Sequence, residues 1–170
     1  MAPEFRRLIN ENGDVSTKRL AEVMGTTLTG MLLVAYVDNK LHWHEHQTLI
    51  EFVRAIGDHV SAQQVLQYLD SSAHLLEDIP QSQWAGLFEV GRRLPSEAKV
   101  TVLAMCTKLA FADGHLSPEE SNLIHQIAEW INIDPYGRKL WKEGVRGALE
   151  AAQLRGFEYT GIENLENEDT

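Results

Sequence analysis

The sequence predicts an all-α fold: a compact multi-helix bundle containing a duplicated helical hairpin. Three observations predict it. Apolar residues recur at spacings of three and four along most of the chain. Alternating β-branched stretches are missing, and one segment repeats at an offset of 75 residues. With 170 residues, 44% of them hydrophobic, the chain suits one domain with its own core.

The helices are expected near residues 16–24, 26–38, 43–57, 61–76, 81–93, 96–112, 118–132 and 135–154. Their ends carry recognisable chemistry. Ser16 and Ser61 stand at N-cap positions, where a serine oxygen accepts from a free first-turn amide. Asp134-Pro135 pairs a capping acid with a proline at the first helical position, whose missing N–H costs nothing there. Gly25 and Gly57 stand where left-handed C-caps are expected. The helical domain is expected over residues 1–156, followed by an acidic, flexible tail over 157–170.

The repeat pairs residues 28–56, LTGMLLVAYVDNKLHWHEHQTLIEFVRAI, with residues 103–131, LAMCTKLAFADGHLSPEESNLIHQIAEWI. Identities fall at Leu28/Leu103, Ala35/Ala110, Asp38/Asp113, Leu41/Leu116, Glu45/Glu120 and Ile56/Ile131, with no gap. Two copies are too few for a solenoid, so they read as paired hairpins within one bundle. In the second copy Gly114 stands where a positive φ is expected, and Asn39 replaces it in the first. Ser117-Pro-Glu-Glu120 reads as a capping box, and alignment makes His42-Trp-His-Glu45 the start of the corresponding helix.

Within each copy an Asp and a Glu close an apolar face. Glu45 heads the stripe Leu49, Phe52, Val53 and Ile56, and Glu120 heads Ile124, Ile127 and Ile131. Asp38 and Asp113 end the preceding helices. If the hairpins pack as equivalents, four carboxylates gather at one end of the bundle, where mutual repulsion invites a cation. Alternatively each acid caps only the helix it adjoins.

The segments AYVDNKLHWHE and AFADGHLSPEE resemble the duplicated motif of the TerB-like tellurite-resistance family. The resemblance covers most of residues 26–133, and AFADGHLSPEES is its most specific part. It implies an all-helical fold of related hairpins, divalent metal at the turn acids Asp38, Glu45, Asp113 and Glu120, and a part in tellurite resistance or wider stress responses. It also implies protein partners in membrane-associated complexes. The first copy departs from the motif at Asn39, His42, Trp43 and His44, which bears on the choice of metal.

Histidines add to the picture. His42 and His46 are four apart, about 40° around an ideal helix, which suits joint ligation; His44 points roughly the other way. Imidazole beside carboxylate would favour Zn, Mn or Ni over Ca or Mg. HWHEH also fits H-x-x-E-H, a zinc-hydrolase pattern of His42, Glu45 and His46, but the repeat aligns it with SPEES, which has no such chemistry. The turns lack the oxygen ladder of an EF-hand. Phosphate-binding loops, dinucleotide fingerprints and serine-nucleophile elbows are missing from the sequence as well.

The expected function is thus a non-enzymatic divalent-metal-binding module. A metal-independent interaction scaffold, with a surface near Trp43, is the alternative. A net charge of −10 argues against nucleic acid as partner. The longest apolar run, residues 30–37, falls short of a membrane span. Residues 1–13 lack the basic start and apolar core of a signal peptide, and Cys106 is the sole cysteine, so a cytoplasmic location is expected. Cys106, Trp84, Trp130 and Trp141 read as packing residues.

Overall fold

The structure, a computed structural model, describes residues 17–37, 43–56, 67, 71 and 74–166. The described residues are helical, with one isolated bridge between His115 and Thr160 and no strand. In order they form α1 (Thr17–Tyr36), α2 (Trp43–Ile56), two 3-10 segments (Gln81–Phe88 and Val90–Arg93), α3 (Ser96–Ala110), α4 (Pro118–Trp130), α5 (Pro135–Leu154) and α6 (Ile162–Glu166). Residues 67, 71 and 74–77 are also helical, and the rest of the helix expected over 61–76 lies outside the described residues.

Helix α3 is the centre of the bundle. It packs most heavily on α1 and α5, and also meets α4 and α2. Ala98, Val102, Leu103, Cys106, Leu109 and Ala110 are buried along one broad apolar face, while Glu97 and Lys108 on the other side are exposed. Helix α1 is enclosed all round over Met31–Ala35, five consecutive buried residues. The two approach closely at Gly30, where a β-carbon would lie 2.7 Å from the Cys106 sulfur. Trp141 brings in α5: its Nε1 donates to Thr107 Oγ1 at 3.0 Å, and that hydroxyl donates to Leu103 O at 2.7 Å. Phe88 packs against Trp130 with ring centroids 5.5 Å apart, fixing the first 3-10 segment to α4.

Four expectations are corrected. Gly25 caps nothing: α1 runs through it, and only Gly114, Gly156 and Gly161 have positive φ among the described glycines. A single glycine costs a helix about 1 kcal/mol. Burial of Val23 and Met31–Ala35 on its two sides outweighs that, and the hydroxyls of Thr26, Thr27 and Thr29 bond back to carbonyls four residues earlier. Residues 81–93 wind as 3-10 segments. Trp84/Leu87 and Phe88/Gly91 are each three apart, a spacing that serves a three-residue turn as well as an α-turn, and Arg92 N–Glu89 O and Leu94 N–Gly91 O close 3-10 rings. Asp134 occupies the N-cap of α5 without a side-chain cap bond; its Oδ1 accepts from Ser96 Oγ at 3.2 Å instead.

The fourth correction concerns the expected loose tail, which is packed as far as Glu166. Leu165 is 3% exposed, Tyr159 meets Phe111 edge-on at 5.8 Å, and the backbone of Thr160 bonds to both Gly114 and Leu116. Gly57, Ser16 and Ser61 lie outside the described residues.

Helix bounds follow the 75-residue offset. Trp43 corresponds to Pro118, and Tyr36 and Ile56 fall within one residue of the counterparts of Ala110 and Trp130. Burial matches too, at Met31/Cys106, Ala35/Ala110, Leu49/Ile124 and Phe52/Ile127. The first turn, residues 38–42, lies outside the described residues, so the two turns are not superposed.

Two outcomes follow from this core. Gly30→Ala should destabilise the fold by about 1–3 kcal/mol in urea unfolding, because the added methyl meets the Cys106 sulfur. Burial pushes the Cys106 thiol from 9.0 up to about 12. It should resist alkylation in the native state and react once denatured. The unfolded thiol ionises near 9.0 while the folded one stays neutral, so this contribution to stability is complete below pH 9 and is lost as the pH climbs toward 12. Alkylation rates and urea midpoints across that window measure both effects.

Candidate metal centre

Glu45 is the third residue of α2 and is 0% exposed. Leu49 and Phe52, one turn and two turns on, are buried beneath it. Glu120 is the third residue of α4, 2% exposed, above buried Ile124 and Ile127. Both glutamates therefore head buried stripes, and both sit in a first helical turn, where the unpaired amides favour negative charge.

The second turn is complete. Helix α3 ends at Ala110, and Gly114 takes φ 86°, a left-handed conformation in which a side chain would be strained. Asp113 is exposed, and its Oδ1 accepts from the His115 amide at 3.0 Å. Leu116 is 0% exposed and plugs the turn. Ser117 and Glu120 form a capping box: Glu120 N donates to Ser117 Oγ and Ser117 N donates to Glu120 Oε2, each at 3.1 Å. At this turn the acids serve the backbone.

The first turn is described only at Glu45. Asp38 and His42 lie outside the described residues, as do the side chains of His46, Trp43 and His44. Glu45 engages neighbours, yet its Oε1 accepts no hydrogen bond. The residue three before it is His42, where the second copy has Ser117, so the serine half of a capping box is missing from the sequence. Among the described residues, no three His, Cys, Asp or Glu side chains come together as a metal cluster. The structure brings Asp113 and Glu120 to one turn and buries Glu45 at the head of the equivalent helix.

Two features escaped the sequence reading. One is the C-terminal segment on the second turn, whose backbone pairing leaves no periodic signal. The other is a groove of about 720 Å³ across α3, bordered by Thr48 and Glu51 of α2, Lys108 of α3, Ala148 of α5, and Arg155 just beyond it. Its signal was available in Gly144, Ala148 and Ala152, small residues four apart on one face of α5.

The family model described as Tellurite resistance protein TerB matches residues 24–142. The chain belongs to the TerB family. The TerB match takes in α1 from Met24 onward, α2, α3, α4 and the start of α5, and hence the acids of both repeats; the segment from Gly156 onward lies outside it. Comparison with curated proteins and with solved structures gives no match. No helix among the described residues is long and apolar enough to cross a membrane.

The capping box sets a measurable scale for the second turn. Ser117→Ala should cost about 1 kcal/mol in thermal or urea unfolding, the usual loss for a serine N-cap. A loss beyond about 2 kcal/mol would mean that the serine does more than cap.

Proposed function

We propose that this TerB-family chain is a non-enzymatic module that binds a divalent cation at its acidic hairpin turns, within a tellurite-resistance or stress-response system. The burial of Glu45 carries the reading. A carboxylate enclosed at the head of an apolar stripe gains most from a cation beside it, because desolvation makes an ionised acid expensive there. Asp38, His42 and His46 are close to Glu45 in the sequence and complete a donor set of carboxylate and imidazole, suited to Zn, Mn or Ni. Asp113 and Glu120 form the second, all-oxygen pair. The bound ion would supply positive charge that offsets the enclosed acids. Burial also speaks against Glu45 as the general base of an H-x-x-E-H hydrolase, since a base must reach water and substrate.

The alternative, a metal-independent interaction scaffold, is supported by the groove between α2 and α5. Capture of partners that persists in chelator would favour it. Protein partners, including those of a membrane-associated stress complex, belong to either reading.

Calorimetric titration of tag-free protein with Mn²⁺, beside metal analysis of the protein as purified, tests the metal reading. Wild type should take up the ion between micromolar and millimolar concentrations, gaining about 2.7 kcal/mol of stability at a hundredfold excess over Kd. The Asp38→Asn, Asp113→Asn double variant should lose affinity by about 10-fold or more, at least the loss seen when a ligand's supporting partner is removed. Uptake that survives this variant but vanishes with His42→Ala and His46→Ala would move the metal to the imidazoles. No uptake up to millimolar ion would end the metal reading.

A further inference from the structure

The amides of the second turn leave in alternate directions. His115 N donates inward to Asp113, Leu116 N donates outward to Thr160 O, and Ser117 N donates to Glu120. Thr160 N in turn donates to Gly114 O at 2.9 Å, so the C-terminal segment straddles His115 as a one-residue parallel bridge. Thr160 N holds the Gly114 carbonyl, whose peptide plane carries the His115 amide that donates to Asp113. Asn164 Nδ2 holds the Leu116 carbonyl, whose plane carries the Ser117 amide that donates to Glu120.

We propose that residues 157–166 are a latch on the second hairpin turn, and that its opening releases Asp113 and Glu120 from backbone amides to a divalent cation. The cation rests on the metal reading above; the latch itself rests on how the segment is attached. Both its joints are glycines of positive φ, Gly156 at 92° and Gly161 at 82°. Leu165 is its one deeply buried apolar side chain. Tyr159 and Ile162 pack partly buried against the core, and the other ties are polar: Asn164 Nδ2 to Leu116 O at 3.1 Å, His115 Nδ1 with Thr160 Oγ1 at 2.7 Å, Ser121 Oγ to Asn164 O, His125 Nε2 to Leu165 O at 3.1 Å, and Arg146 with Glu166 at 2.8 Å. Apart from Arg146, these anchors belong to the turn or the first part of α4. A segment held by hydrogen bonds, one buried leucine and two partly buried side chains opens at lower cost than a bundle whose helices share a core. It lies beyond the TerB match, so the latch is an addition to the matched region.

Gly161 offers a selective lever. A β-carbon there would collide with the Leu116 carbonyl oxygen, and the positive φ disfavours any side chain. Gly161→Val therefore lifts the segment without altering either acid. Amide exchange on the full chain should show Leu116 and Thr160 losing protection together in this variant while α3 amides keep theirs. Mn²⁺ titration in a background of Asp38→Asn, His42→Ala, Glu45→Gln and His46→Ala, which removes the first-turn donors, reads the second turn alone. There Gly161→Val should raise affinity about 5-fold or more, the lower end of ordinary coupling between two sites. Asn164→Ala, a milder change that deletes one tie, should move both readouts the same way and serves if the valine variant fails to fold. Uptake that ignores both variants overturns the latch and leaves the metal reading standing. No uptake by wild type or any variant overturns both.

Discussion

Helices α1 and α3 must lie against each other before the rest of this bundle can be placed, and they meet where there is no room for a β-carbon. The contact of Gly30 with Cys106 sets how near the two axes come. Everything else is hung on that pair. Helix α2 returns against α1, α4 against α3 and α1, and α5 covers α3 from another side through Trp141. Because α2 and α4 both pack on that pair, the first turn of each starts in the interior. A glutamate at the third position of each helix is therefore buried by the packing of its neighbours, whatever its own preference for water.

Much of this was legible in the sequence, for reasons that are local. Stripes with a spacing of three and four predicted α3, α4 and α5, and Ser117-Pro-Glu-Glu120 marked the start of α4 because serine, proline and glutamate each satisfy a distinct need of a first turn. The left-handed Gly114 and the buried plug Leu116 were readable for the same reason. The errors arose where tertiary packing decides. Gly25 looks like a helix end but lies in a helix held by α3, and Trp84, Leu87 and Phe88 carry a spacing that two kinds of helix share. The C-terminal segment was hidden by composition. Its glutamates advertise solvent, while its anchors are one leucine, one tyrosine edge and backbone groups that pair across more than forty residues of sequence.

The candidate site was legible in part. That Glu45 and Glu120 head buried stripes follows from their place relative to Leu49 and Ile124, and the structure places them so. That Asp113 would be turned to the His115 amide was not foreseen, because a carboxylate at the end of an apolar face reads equally as ligand or as turn-former. The two copies differ chemically at one decisive place. Ser117 completes a reciprocal cap with Glu120, and His42 stands where that serine would be. The equivalent glutamates therefore have different sequence neighbours: Glu120 follows the serine that caps its helix, and Glu45 follows His42 and His44.

Trp141 gives the core an optical consequence. Its indole is 1% exposed and bonded to Thr107, and the His125 ring stands edge-on to it at 5.7 Å. The far side of that imidazole reaches the carbonyl of Leu165. An enclosed indole emits toward the blue, and a neighbouring imidazole quenches it to a degree that depends on the ring's charge and orientation. The intrinsic emission of this protein thus carries a component that begins at the central helix and ends, one ring later, at its C-terminal segment.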